Sequence, residues 1–220
     1  MRVIQERSPR LPAWPTVGAS GFSQDAGTFN GGDNQMDVNG PFSIAGGTFN
    51  APTGTLFVGS TYTHNSGGTF NHNNGTVIFD GNGSNLVLSA AGESFFNLSF
   101  NSNPGQVKNI FTGPVTVQGS LALNDGFINT IAAGLLRPEG NMVVASTFDG
   151  GNTAVTFAGA SDQTFSNNGG ANPTGTWTVN KTGGAVTLLT DLILGATQSL
   201  NITSSALHHG KLRQYSLRAD

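Results

Sequence analysis

The chain has 220 residues, no cysteine, 32 glycines and 10% charged residues, with a formal net charge of −3. Fifteen phenylalanines and 36% hydrophobic residues can fill a packed core and exclude wholesale disorder, while the lack of cysteine excludes disulfide frameworks and thiolate-bound zinc. Six of the nine cations lie in the first or last ten positions, so residues 11–210 hold only Lys108, Arg137 and Lys181 against ten acids, which excludes binding to nucleic-acid backbones or anionic lipid.

Residues 1–20 are basic at their start, with Arg2, Arg7 and Arg10, and have no apolar run of signal-peptide length. They are expected to cap the fold or link it to further chain. No later segment reaches the roughly 20 apolar residues of a membrane span, so direct membrane insertion is not expected.

The next feature is a repeat. Gly-Thr-Phe-Asn occurs at Gly27–Asn30, Gly47–Asn50 and Gly68–Asn71, at spacings of 20 and 21 residues. A fixed period of this size marks one supersecondary unit built several times and stacked. Stacking would place Phe29, Phe49 and Phe70 in one internal aromatic column and Asn30, Asn50 and Asn71 in a ladder at a turn.

A longer match follows. Val77–Gly81 recurs as Val155–Gly159 at an offset of 78, and Val87 matches Phe165. The offset then becomes 79, with Phe100-Asn101 against Val179-Asn180, Val107 against Val186, Leu121 against Leu200 and Leu123 against Ile202. One residue inserted in a loop between kept strand positions suits a repeat protein, in which strands hold the register.

Short runs rich in Val, Ile, Thr, Phe and Leu predict strands from Thr76–Phe79 onward. They include Asn85–Leu88, Asn97–Phe100, Val115–Val117, Ser120–Leu123, Asn141–Ala145, Ala154–Phe157, Thr176–Val179, Ala185–Leu188 and Ser199–Ile202. Ile128–Leu136 comes nearest to helical periodicity but lacks a polar face. The chain is therefore expected to be all-β. The 20-residue period favours a parallel β-solenoid over residues 21–207, with an antiparallel β-sandwich as the alternative and residues 208–220 as a charged tail or linker.

The stretches Val155–Gly159, Asp162–Phe165 and Thr176–Leu188 resemble repeats of bacterial autotransporter-like and filamentous-haemagglutinin-like surface proteins. That resemblance implies a right-handed parallel β-helix acting as a non-enzymatic stalk or adhesive passenger. It also implies secretion or display at the cell surface as part of a longer polypeptide. The implied partners are surface glycans or other surface proteins.

Signals for chemistry are sparse. His64 and His72 flank the third Gly-Thr-Phe-Asn, with Asp80 as the nearest acid in sequence, and are read as solvated loop residues; His208-His209 has no Asp or Glu beside it. Asp80–Asn85 opens like a calcium loop but has no glutamate at the twelfth position, where Ala91 stands. Asp125, Glu139 and Asp149 are the acids closest in sequence for a hydrolytic pair, with Arg137 as the one arginine of the body, and none lies in a distinctive motif. No catalytic residue, metal or cofactor is expected. For sugar stacking, Trp14, Tyr62, Trp177 and Tyr215 are the available rings. Tyr62, between Thr61 and Thr63, is the expected exposed carbohydrate-binding residue, whereas Trp177 sits at a core position.

Overall fold

A computed structural model of the chain describes residues 16–82, 86–90, 92–102, 107–111, 113–131, 134–208 and 212–214. Over these residues the protein is all-β, without a helix, and its parallel strands stack as a β-solenoid of about eight turns. Most turns lay strands on three faces, and neighbouring turns pair in parallel, with local register shifts at Phe100/Asn101, Gly126/Phe127 and between Val179 and Ala185.

The first face carries Thr16–Val17, Met36–Val38, Thr55–Val58, Thr76–Phe79 and Asn97–Asn101 in successive parallel pairs. It continues through the start of Leu121–Ile131, then Met142–Val144, Gln163–Asn167 and the end of Trp177–Leu188. The second face begins Phe22–Gln24, Phe42–Ile44, Tyr62–His64, Leu86–Ala90 and Val107–Phe111. The third begins Thr28–Asn30, Gly47–Asn50 and Gly68–Asn71. Its later rungs include Pro114–Val117, Leu135–Pro138, Val155–Phe157 and the starts of Trp177–Leu188 and Leu200–His208. Parallel pairing on every face replaces the sandwich alternative.

Alternation explains the core. Strand side chains point to opposite faces in turn, so Met36 and Val38 are buried while Asp37 between them faces outward. The same holds for Leu56 and Val58 and for Leu121 and Leu123, while Ser99 between the buried Leu98 and Phe100 is itself covered. Each fully buried side chain of this kind contributes about 1.5–3 kcal/mol.

The aromatic filling forms two columns. Phe22, Phe42 and Tyr62 stack along the second face with centroids 5.2 Å apart. Phe29, Phe49 and Phe70 stack along the third at 5.0 and 6.0 Å. The columns meet edge to face, Phe42 against Phe49 at 4.9 Å and 89°, the arrangement the ring quadrupole favours.

Corners are held by amides. Asn50 Nδ2 donates to Asn30 Oδ1, and Asn71 Nδ2 to Asn50 Oδ1, each at 2.7 Å. Gln163 Nε2 donates to the carbonyls of Pro138 and Gly140 in the preceding turn. Gln198 does the same to those of Pro173 and Gly175. The leading glycine of the tetrapeptide is required by backbone shape at Gly47, where φ is +74° and a Cβ would lie 2.3 Å from Gly27 O.

The longer match at 78–79 residues is not a whole number of turns. Val77, Leu121 and Leu123 lie on the first face, but Val155, Leu200 and Ile202 lie on the third. The match superposes strands of different faces, because all of them share the same inward–outward alternation. Ile128–Leu136, the nearest approach to helical patterning, contributes to two strands, Leu121–Ile131 and Leu135–Pro138.

Described strands also extend past the expected repeat boundaries of 21 and 207. Thr16–Val17 pairs with Met36–Val38, and Leu212–Gln214 with Leu192–Leu194. Residues 1–15 and 215–220, with Trp14 and Tyr215, lie outside the described residues.

Candidate functional site

Tyr62 is not exposed. It lies inside the tube with no accessible surface, because Thr61 and Thr63 take the outward positions of its strand and the ring continues the Phe22–Phe42 column. A buried ring offers no face to a sugar, so the expected role for Tyr62 is corrected. Trp177 is also fully buried and donates from Nε1 to Pro173 O at 2.9 Å.

The phenol of Tyr62 instead completes a buried polar cluster. Tyr62 Oη donates to Glu93 Oε2 at 2.9 Å, and His64 Nδ1 meets the same oxygen at 2.5 Å. Glu93 is 6% exposed. Burial, followed by the Glu93 charge, holds the Tyr62 phenol well above its ordinary range. His64 is thus a structural partner and not a solvated loop residue. Tyr62 and His64, two apart on one strand, point the same way, but Glu93 lies 31 and 29 residues further on, in a turn where the short period is broken.

Lys181 is a second buried charge, 3% exposed. Its Nζ donates to Ala158 O, Ser161 O and Gln163 Oε1. Desolvation lowers its pKa, partly offset by the charges of Asp162 and Glu139.

The three acids singled out for hydrolysis do not gather on one face: Asp125 and Asp149 lie in neighbouring turns, but Glu139 follows a third-face strand. Asp125 accepts from the Gly126 backbone N–H between the first and second faces. Glu139 pairs with Arg137 at 3.3 Å after a third-face strand, and Asp149 lies on the second face. Among the described residues no three His, Asp or Glu side chains gather where a metal ion could sit. His72 and Asp80 line separate depressions. Residues 83–85, the end of the calcium-like stretch, and His209 lie outside the described residues, and His208 is described only as the end of its strand.

Two depressions on the surface of the described residues combine polar groups with part of a ring. One, of about 280 Å³, places Phe57 of the first face beside Asp37 and Asp80, with Thr16 and Gln35. The other, of about 500 Å³, is an open polar groove. It is formed by Asn71, His72, Asn73 and Asn74 of one turn, Ser94 of the next and Gln118 of the one after, over the edge of Phe70. Asn73 and Asn74 both have left-handed backbone, at φ 47° and 57°, a conformation asparagine tolerates better than most residues. Asn73 Nδ2 fixes this loop by donating to Ala51 O at 2.8 Å.

Sequence reasoning named Asn71 for its ladder role and His72 as a loop residue, but not the groove. Its parts come from three turns, and only the coil register brings them together. No protein-family model matches the chain, and no curated protein or solved structure matches it either.

Proposed function

We propose that the chain is a non-enzymatic structural and adhesive segment of a secreted or cell-surface bacterial protein, of the autotransporter-like or filamentous-haemagglutinin-like kind. The observation that carries this reading is the use made of ionisable groups. Glu93, Lys181, Asp125 and the Arg137–Glu139 pair each bond to neighbouring backbone or side chains of the coil.

The physical logic is that of a rod. At about 4.8 Å between neighbouring strands, about eight turns give a body roughly 40 Å long. Parallel backbone pairing along the axis resists bending, and further coils of the same type would lengthen the rod without changing its cross-section. An outer surface rich in Asn, Ser, Thr and Gly, with few charges, suits many weak neutral contacts made together, for which avidity exceeds any single affinity.

Antibody labelling of intact source cells tests the reading. Surface labelling, together with binding of beads carrying the full chain to target cells, is expected. Labelling confined to lysed cells, or beads that do not adhere, would overturn it.

A further inference from the structure

The Asn30–Asn50–Asn71 ladder has a direction. Each amide nitrogen donates to the oxygen of the turn before it, so the free end of the chain of dipoles is the oxygen of Asn71. Aligned hydrogen bonds polarise one another, which strengthens the terminal acceptor. The next turn brings Ser94, Phe95 and Phe96 to this region, and none carries a side-chain amide to continue the ladder. The ladder therefore ends in the open groove, with Asn71 among its lining residues.

The other groups there are equally ready for a ligand. His72 Nδ1 accepts from the Asn74 backbone N–H at 3.0 Å, which assigns the hydrogen of the neutral ring to Nε2 and makes it a donor. Gln118 Nε2 donates to Ser94 Oγ at 3.0 Å. The Ser94 hydroxyl hydrogen and Gln118 Oε1 remain as one donor and one acceptor. The His72 ring lies 5.9 Å from that of Phe96 at an angle of 28°, so a flat, weakly polar surface adjoins the hydrogen-bonding groups.

The geometry points to this groove as a binding site for an uncharged glycan. A pyranose combines a rim of hydroxyls, each both donor and acceptor, with an apolar C–H face that packs on a ring. The lining holds no Lys, Arg, Asp or Glu, and the chain carries net negative charge, which disfavours sulfated or uronate polymers. The inference rests on the adhesive reading and deepens it by naming the class of molecule gripped.

Affinity electrophoresis of the full chain in native gels containing mannan, dextran, galactan or glycol chitin tests the site. Retardation by at least one is expected. Gln118→Ala and His72→Ala, at partly or fully exposed positions, should each weaken it roughly fivefold to tenfold through loss of a sugar hydrogen bond. Asp37→Asn, in the other depression, should leave it unchanged, and circular dichroism checks that each variant is folded. Free migration of the wild type in all four gels overturns the site. So does retardation insensitive to Gln118→Ala and His72→Ala, or abolished by Asp37→Asn alone. A chain that adheres to cells yet migrates freely loses the groove and keeps the adhesive reading; one that is retarded but does not adhere has the reverse outcome.

Discussion

Tyr62 Oη and Glu93 Oε2 meet at 2.9 Å inside the tube, 31 residues apart in the chain. The bond ties the second-face strand Tyr62–His64 to the segment that leads into Ser94–Phe95 of the following turn. Removing the donor leaves a buried carboxylate short of a partner, which costs about 1–3 kcal/mol. Tyr62→Phe is therefore expected to lower the unfolding free energy by that amount at pH 7, measured by urea titration.

The same pair sets an alkaline limit. The Tyr62 phenol titrates above its ordinary value of 10.0 in the folded protein, chiefly because it is buried. Its contribution is fully present below the unfolded pKa and is lost as pH rises through the folded one. Wild type should lose stability above about pH 10, and the loss should be smaller in Tyr62→Phe. Equal alkaline slopes in the two proteins would refute the assignment.

Lys181 carries the opposite sign. Burial lowers its pKa from 10.5 in the folded state, so its contribution is full above the unfolded value and is lost as pH falls through the folded one. Lys181→Met removes the donor to Ala158 O and Ser161 O and should destabilise by about 1–3 kcal/mol. The gap between wild type and Lys181→Met should widen from pH 7 toward pH 10. A gap that narrows over this range would show that the ammonium is not disfavoured by its surroundings.

Legibility in the sequence follows from how strictly each feature is tied to the coil period. The Gly-Thr-Phe-Asn turns can be read directly, because an inward phenylalanine and a corner asparagine recur in all three copies, with a left-handed glycine in the first two, where turns are 20 and 21 residues long. The faces could not be separated. Strands on all three alternate alike, so Val77 matches Val155 although the two lie on different faces. The direction of Tyr62 is not legible because Thr-Tyr-Thr suits an outward ring as well as an inward one, and the parity is set by the Phe22–Phe42 column. The groove was hidden for another reason: His72, Ser94 and Gln118 are neighbours only after turns of unequal length have been laid over one another.

The amide ladder should behave as a cooperative unit. Asn50 takes part in two 2.7 Å bonds and Asn30 in one of them. Asn50→Ala is expected to cost about 1–2 kcal/mol and Asn30→Ala roughly half as much, since exposed side-chain bonds are individually modest. Thermal melts of the two variants and of their double mutant measure the coupling. Costs that simply add would mean that the amides do not share a bond.

Gly47 gives the sharpest test of the stacking itself. Its φ of +74° is strained for any residue with a Cβ, and that atom would sit 2.3 Å from Gly27 O. The same oxygen accepts the Thr48 N–H at 2.8 Å, one of the bonds that joins the two turns. Gly47→Ala must therefore either distort the corner or push the turns apart, and Phe29 and Phe49, stacked at 5.0 Å beside it, would lose contact with the shift. The expected cost is about 2–4 kcal/mol, more than an ordinary surface substitution. Gly27→Ala provides the comparison, because its φ is also +74° but a Cβ there meets nothing within 4 Å; it should cost only about 1 kcal/mol of backbone strain. Equal destabilisation by Gly47→Ala and Gly27→Ala would show that backbone strain, and not the close approach of successive turns, governs the corner.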